Sequence, residues 1–546
     1  HHNAIQIAAD SGIAIKLRNV INPDHQGTLI GEGPFRDQRK MIKGITLRPE
    51  VVQCEISGIG DQQLSEWLNE LSKSELQPVL QFQLQGLETS SFVFEKHGLV
   101  KSQLKVLESG PGIGKKEFRY RDDLSLVSIT GDEMANSPGV FGKMFEILGR
   151  NGINVISMAK GGGNQTLTAL IPAKDSNKAL NALHEGFFLS GHQVIHLFLA
   201  GTGLIGSTLL RQIKKQKFHL LQNRQLELRV VGLSNSRKMQ FDLKGIDIED
   251  WQLALDHSAE KADAKHFVDH MKSANLRNCI FVDCTPNSDF SSLYRDCLLS
   301  NISISTPNKL VASGPASTYR ELKQIAQLQG VRFAFETNVG AGLPVINTLN
   351  DLLQSGDQIL QIEGVLSGSL SYIFNQFQQG GTFSDAVQAA RDAGLTEPDP
   401  RDDLFGKDFC RKLVILAREA GWKAELANVD MKPFLSKECL HSQSVEEFMQ
   451  SLVQMNETMD KLRTGAAEQN KIIRIVGKVT PQHASLALEA VAASHPFYGL
   501  SGSDNMIVFT TERYQERPLV IRGPGAGAEV TAAGVFAEII SIANVL

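Results

Sequence analysis

With 546 residues, 42% of them hydrophobic and 21% charged, the chain has an ordinary globular composition and a length suited to three or four domains, which excludes a disordered or fibrous protein. Lys and Arg number 55 against 60 Asp and Glu, a net charge of -5 with a pI near 6.3, so the basic footprint of a nucleic-acid binder is missing. No apolar run approaches the ~20 residues of a membrane span. The six scattered cysteines form no CxxC pair and no signal-peptide pattern is present, so a soluble protein of the reducing cytoplasm is expected. The sequence opens on His1-His2 rather than Met, which reads as a tag remnant or a missing N-terminal part.

Residues 1–43 hold short strand-like runs divided by the turn-forming Asn22-Pro23-Asp24-His25-Gln26-Gly27. A first module covers 44–115 and ends in the polar, glycine-rich Glu108 to Lys115. A second covers 116–191. In it, Leu124 to Ile129 predicts a strand, and Val140, Met144, Phe145 and Leu148 recur at helical spacing. Asn151-Gly152 turns into a predicted strand over 153–158, a third strand covers 166–171, and a helix covers 177–185. Strand-helix-strand-strand-helix suits a small α+β sheet with its helices on one face.

The loop carrying Asp132, Met134, Asn136, Pro138 and Gly139, with the Asn151-Gly152-Ile153-Asn154-Val155 turn, resembles the ACT domain, a regulatory module that binds amino acids. Residues 44–105 repeat the order more weakly, without the Pro-Gly helix entry, so a tandem pair of ferredoxin-like modules is expected. The resemblance implies an effector site at Asp132, Met134, Asn136, Ser137, Pro138 and Gly139, where free N–H groups at a helix start can hold a carboxylate. Whether the first module binds a ligand or only packs stays open.

Val194 to Ala200 reads as a fully buried strand running into Gly201-Thr202-Gly203-Leu204-Ile205-Gly206 and then a helix, the context that gives GxGxxG its meaning. Gly201 serves the tight turn, Gly203 the approach of a pyrophosphate, and Gly206 close helix–strand packing. The next strand, 226–233, ends in Ser234-Asn235-Ser236-Arg237-Lys238. No acidic residue stands there for a ribose 2′-hydroxyl, so a 2′-phosphate and hence NADP is favoured, with NAD as the alternative. Two further strands end in Thr285-Pro286-Asn287 and Thr306-Pro307-Asn308-Lys309. Ligands sit beyond the carboxyl ends of such strands, which turns Thr285 and Lys309 towards the cofactor.

Glu336-Thr337-Asn338-Val339-Gly340-Ala341-Gly342-Leu343-Pro344 is a glycine-bearing loop whose carbonyls could face a hard cation. In the densest cluster of charge, Thr396 to Leu404 followed by Phe405 to Leu413, a stripe of Phe405, Phe409, Leu413 and Leu416 marks a helix. On its adjoining face Asp408 and Lys412, four apart, can meet beside Glu397 and Asp403. A polar pocket for a zwitterion is the expectation.

Together, Thr306 to Lys309, Asn338 to Pro344, Leu366-Ser367-Gly368-Ser369, Thr396 to Leu404 and Arg411-Lys412 resemble homoserine dehydrogenase over about residues 192–546. Arg18 to Pro23 with Gly27 to Ile30 is similar to the end of an aspartokinase domain. The N-terminal third thus resembles the regulatory region of bifunctional aspartokinase/homoserine dehydrogenases. The kinase's nucleotide-binding glycine segment is absent, so aspartate phosphorylation by this chain is not expected.

The resemblance implies reversible oxidation of L-homoserine to L-aspartate 4-semialdehyde with NAD(P), in the biosynthesis of threonine and methionine. It implies a Rossmann domain over 192–335 closed by 505–546, and an α+β substrate and dimerisation domain over 336–504. Glu397 would bind the substrate amino group, Asp403 and Asp408 would complete the pocket, and Lys309 and Lys412 would handle the proton. A monovalent cation such as sodium would sit on backbone carbonyls of Glu336, Val339, Ala341 and Leu343. Gly525, in the late Gly523-Pro524-Gly525-Ala526-Gly527 loop, would return to the cofactor. Threonine is the implied effector, and a homodimer or homotetramer the implied assembly. Two rival readings are another NAD(P) oxidoreductase of a small amino or hydroxy acid, and an amino-acid sensor with an inactive dehydrogenase half.

Overall fold

The computed structural model describes residues 193–546 throughout and, before them, chiefly 13–18, 25–30, 42–73, 76–83, 89–96, 117–131, 139–160 and 166–188. Two compact units are distinguished. One carries the N-terminal sheet; the other carries residues 189–546 together with 146–154 and 177–185.

In the first unit a short antiparallel ladder joins β1 (Ile15–Leu17) to β2 (Thr28–Ile30). The main sheet has six strands: β3 (Ile42–Ser57), β4 (Leu80–Gln83), β5 (Thr89–Glu95), β6 (Glu117–Gly131), β7 (Ser157–Lys160) and β8 (Thr166–Pro172). Their order is β4-β5-β3-β6-β8-β7, so the two weakly repeated halves of the sequence form one continuous sheet, joined where β3 runs antiparallel to β6. Helix α1 (Asp61–Lys73) follows β3; α2 (Val140–Arg150) and α3 (Ser176–Phe188) follow β6 and β8. Trp67 and Leu71 of α1 pack with Phe92 and Cys54 into a buried core. The strand predicted over 153–158 starts only at Ser157, because Ile153 is spent on closing α2: its N–H bonds the Leu148 carbonyl and its side chain is buried.

The second unit contains two six-stranded sheets. The first comprises β9 (Gln193–Ala200), β10 (Leu226–Ser234), β11 (Met239–Phe241), β12 (Cys279–Asp283), β13 (Ser303–Ser305) and β14 (Phe333–Ala334), in the order β11-β10-β9-β12-β13-β14. All pairs are parallel except the edge strand β11. This is the doubly wound arrangement whose order reverses beside the first strand, and helix α4 (Leu204–Arg224) leaves that strand directly. Val194 to Ala200 is buried at every position, as a central parallel strand covered on both faces requires.

The second sheet comprises β15 (Ile359–Val365), β16 (Asp430–Met431), β17 (Lys471–Val479), β18 (Ala484–Ala492), β19 (Asp504–Thr511) and β20 (Leu519–Pro524), in the order β16-β18-β17-β15-β19-β20. Helices α5 (Ile346–Gln354), α6 (Gly368–Gln378), α7 (Pro400–Leu404), α8 (Lys407–Glu419) and α9 (Val445–Ala467) belong with it, and α10 (Ala528–Ala543) ends the chain. The segment expected to return over 505–546 divides. Its strands β19 and β20 pair next to β15 in the second sheet, and helix α10 alone packs on α4 of the first, with Val535 and Ile539 in the same core as Leu209 and Ile213.

Among the described residues, no helix is long and apolar enough to cross a membrane, and no group of three or more His, Cys, Asp or Glu could hold a metal ion.

Candidate active site

The turn from β9 into α4 shows why its glycines differ. Gly201 has a φ of +87°, and a Cβ there would lie 2.7 Å from the Cys284 carbonyl carbon. At Gly206 a Cβ would fall 2.0 Å from the Gly201 oxygen, so helix and strand could not close up. Gly203 faces open space with nothing within 4 Å, as a site for a ligand does. Gly203 is also the cap of α4 and supplies no side-chain bond, which leaves the first N–H groups of the helix free for an anion. The residues present therefore fit a pyrophosphate.

A cleft of about 550 Å³ opens here, lined by Gly201, Thr202, Gly203, Asn235, Arg237 and Thr285 among others; Ser236 lies on it as well. The Asn235 carboxamide oxygen accepts the Arg237 and Lys238 N–H groups, both at 2.7 Å, and so shapes the loop. The exposed Arg237 guanidinium has no partner among the described residues. Five of the expected cofactor residues do not line the cleft: Gly206 is packed on the turn, Lys309 reaches Asp408, and Leu204, Ile205 and Gly525 stand elsewhere. Leu204 is exposed at the helix start, and Ile205 turns its side chain into the core, leaving only backbone to offer. Gly525 lies against buried Asn505, whose amide a Cβ would strike at 1.9 Å, and does not line the cleft.

A buried network that local sequence patterns did not reveal holds the floor of this cleft. Asp283, at the end of β12, accepts the Thr285 N–H (2.8 Å) and hydroxyl (2.6 Å) and the Tyr294 hydroxyl (2.6 Å). Tyr294 also reaches Thr306 (3.0 Å), whose own hydroxyl bonds the Asp283 carbonyl (2.8 Å) and receives the Asn308 N–H (2.9 Å). The cofactor loop at 285 and the strand end bearing Lys309 thus share one carboxylate.

Lys309 points from that strand end to Asp408 at the start of α8, with Nζ 3.4 Å from Oδ1. Lys412, one turn further on, is 3.0 Å from the other Asp408 oxygen and donates to the Leu366 carbonyl at 2.6 Å. Burial pushes the Lys309 ammonium below the ordinary lysine range; Asp408 opposes this and Lys412 adds to it. Burial would raise the Asp408 carboxyl, but Lys412 and Lys309 override it and hold it well below the usual carboxylate range. Phe409, Leu413 and Leu416 bury the adjoining face of α8, whereas Phe405 precedes the helix, cut off from it by Gly406 at a φ of +68°.

Beside this bridge a polar pocket of about 340 Å³ is lined by Ser367, Glu397, Asp402, Asp403, Lys407, Asp408, Phe409 and Arg411. Asp403 is fixed at both oxygens, by the Ser369 hydroxyl (2.6 Å) and the Glu397 N–H (2.8 Å). Glu397, Asp403 and Asp408, expected to cooperate, do share one pocket.

In the 336–343 loop the Glu336 side chain accepts the N–H groups of Ile346 and Asn347, each at 2.7 Å, and so caps α5. The carbonyls of Glu336 and Leu343 accept the Val339 and Val345 N–H groups, at 3.3 and 2.9 Å, leaving each with one lone pair. Gly340 and Ala341 both have positive φ, 78° and 53°, which breaks any regular pairing through the loop. Two of the four carbonyls expected to face a cation thus each already accept one N–H.

Of the effector residues, Asp132, Asn136, Ser137 and Pro138 lie outside the described residues. Met134 is buried, and Gly139, at a φ of +87° with no atom within 4 Å of a Cβ, stands just before α2.

A parallel sheet with a glycine turn, an open helix N-terminus and a lysine-bridged carboxylate at the strand ends defines a dinucleotide-binding protein of the dehydrogenase type. The family models agree: the homoserine dehydrogenase NAD binding domain matches residues 201–336, homoserine dehydrogenase matches 344–540, and an ACT domain matches 127–187. The homoserine dehydrogenase of Schizosaccharomyces pombe is 37% identical over 64% of this chain and 95% of its own length. The bifunctional aspartokinase/homoserine dehydrogenase of Haemophilus influenzae is 34% identical over 99% of this chain and 67% of its own. The chain belongs to the homoserine dehydrogenase family. A Candida auris protein of unknown function, 34% identical, has the same fold over 64% of this chain and 98% of its own, with a TM-score of 0.60. The chain spans about half the length of the plant bifunctional enzymes it matches: a maize chloroplastic one is 42% identical over 77% of this chain and 46% of its own.

Proposed function

We propose that this chain interconverts L-homoserine and L-aspartate 4-semialdehyde with a nicotinamide dinucleotide. The observation that carries the reading is the Lys309–Asp408–Lys412 bridge, which sets two ammonium groups at the point where the nucleotide sheet and the substrate helix meet. A bound dinucleotide would supply the hydride acceptor. Lys309, already below the ordinary lysine range, takes the carbinol proton as the carbonyl forms and returns it in the reverse direction. Lys412, anchored by Leu366, orients the reacting oxygen, and Asp408 keeps the two lysines together. Glu397 receives the substrate amino group, and Asp403 shapes the wall beside it.

NADP is favoured over NAD, supported by the unpaired Arg237 and the lack of an acidic residue after β10. A monovalent cation on the carbonyls of Glu336, Val339, Ala341 and Leu343 would stiffen the loop before α5. The module matching the ACT family supports an amino-acid effector, threonine by family likeness, and that likeness also implies a homodimer or homotetramer. Six scattered cysteines, five of them buried, suit a reducing compartment such as the cytoplasm.

The test is NADPH consumption with aspartate semialdehyde, with and without threonine. Turnover lost in both Lys309→Ala and Lys412→Ala supports these roles, and unchanged turnover in both overturns them. No turnover in the unaltered chain would favour an amino-acid sensor.

A further inference from the structure

We infer that Arg411 is the residue that recognises the α-carboxylate of the amino-acid substrate, and so selects amino acids over simple amino alcohols. The inference rests on the dehydrogenase reading above and adds to it the group that reads the acid end.

The pocket beside α8 holds charges of both signs, and two of its carboxylates are already matched. Asp408 has one lysine on each oxygen, and Asp403 has a hydroxyl and an N–H. Arg411 and Lys412 are three and four residues beyond Asp408, and either spacing brings a cation within reach of it. Lys412 and Lys309 hold both oxygens, so Arg411, half-buried on the same wall, has no ion pair among the described residues.

A second feature of the same wall has the same sign. Helix α8 begins at Gly406, which offers no side-chain cap. The first N–H groups of this 13-residue helix belong to Lys407, Asp408 and Phe409, and all three residues line the pocket. An uncapped N-terminus favours an anion, and a guanidinium binds a carboxylate through two parallel bonds. Glu397, across the pocket, keeps its carboxylate for a cation. A zwitterion laid between them sends its carboxylate to Arg411 and the helix start and its amino group to Glu397. Its side-chain oxygen then faces Lys412 and Lys309. Lys407 is exposed and lacks the planar fork, which makes Arg411 the better matched of the two.

Two truncated analogues separate the ends of homoserine: 4-hydroxybutyrate lacks the amino group and 3-aminopropan-1-ol lacks the carboxylate. Their binding to the full chain loaded with NADP would be measured by calorimetry, alongside kcat/KM for homoserine and NADPH affinity by fluorescence. In Arg411→Gln, 4-hydroxybutyrate binding and homoserine kcat/KM should each weaken at least about tenfold relative to 3-aminopropan-1-ol. Arg411→Lys should recover part of the loss. Equal weakening of both analogues, or of neither, overturns the inference, as does selective loss in Lys407→Gln but not Arg411→Gln. If the unaltered chain turns over homoserine and the analogues fail to separate, the inference falls and the reaction stands. If there is no turnover but acid binding depends on Arg411, the reaction falls and the site assignment stands.

Discussion

Lys309 and Asp408 touch at 3.4 Å, although one leaves the fifth strand of the nucleotide sheet and the other opens the helix that carries the polar pocket. The contact ties the two halves of the site together at one carboxylate, which Lys412 shares.

Removing that charge has a predictable sign. Asp408 raises the Lys309 pKa against burial and Lys412, so Asp408→Asn should lower it further. The basic limb of the homoserine-oxidation pH profile should move to lower pH, with kcat reduced about tenfold or more. A limb that stays in place would remove Lys309 as the titrating base. The stabilising share of Asp408 itself is complete above the unfolded carboxylate range, near 4, and is lost as the pH falls through its depressed folded value. Acid unfolding of the asparagine variant should accordingly be shallower.

The glycine turn offers a paired test. Gly206→Ala forces a methyl against the Gly201 carbonyl and should cost about 1–3 kcal/mol in urea unfolding. Gly203→Ala meets only open space, so the urea midpoint should hold while NADPH affinity falls. Equal stability losses in both would show that Gly203 is structural.

Tyr294→Phe removes a buried hydroxyl bonded to Asp283 at 2.6 Å and Thr306 at 3.0 Å. The expected loss is about 1–3 kcal/mol, because Asp283 keeps its burial and loses a donor. Since the same carboxylate holds Thr285, NADPH titration should show weaker binding as well. Weakened stability with unaltered NADPH affinity would uncouple the network from the cofactor loop.

Arg237→Ala should lower kcat/KM with NADPH by about tenfold and leave the NADH value within about twofold, since only the former carries the 2′-phosphate. A parallel fall for both cofactors would place Arg237 outside that contact.

What could be read from the sequence follows the range of the interactions. The strand, glycine turn and helix at 193–224 are adjacent in the chain, and Asp408 and Lys412 are one helical turn apart, so both patterns are written locally. The Ser369–Asp403, Tyr294–Asp283 and Lys412–Leu366 contacts join segments whose meeting depends on the fold, and no spacing rule announces them. Arg411 was visible as part of a motif, but its lack of a partner emerges only once Lys309 is seen to occupy the second Asp408 oxygen. Strand 504–511 pairs with β15 and strand 519–524 with 504–511, a meeting of distant segments that no local pattern marks.

Helix α10 also sets an order of assembly. The nucleotide sheet is complete at residue 334, yet the layer over α4 is supplied by residues 528–543. A ribosome making this chain must synthesise the whole second sheet before the first is covered. The nascent nucleotide half therefore waits, with Leu209 and Ile213 lacking their final cover, until the last helix emerges. Trimming that helix should strike the dinucleotide cleft first, far in sequence from the glycines that form it.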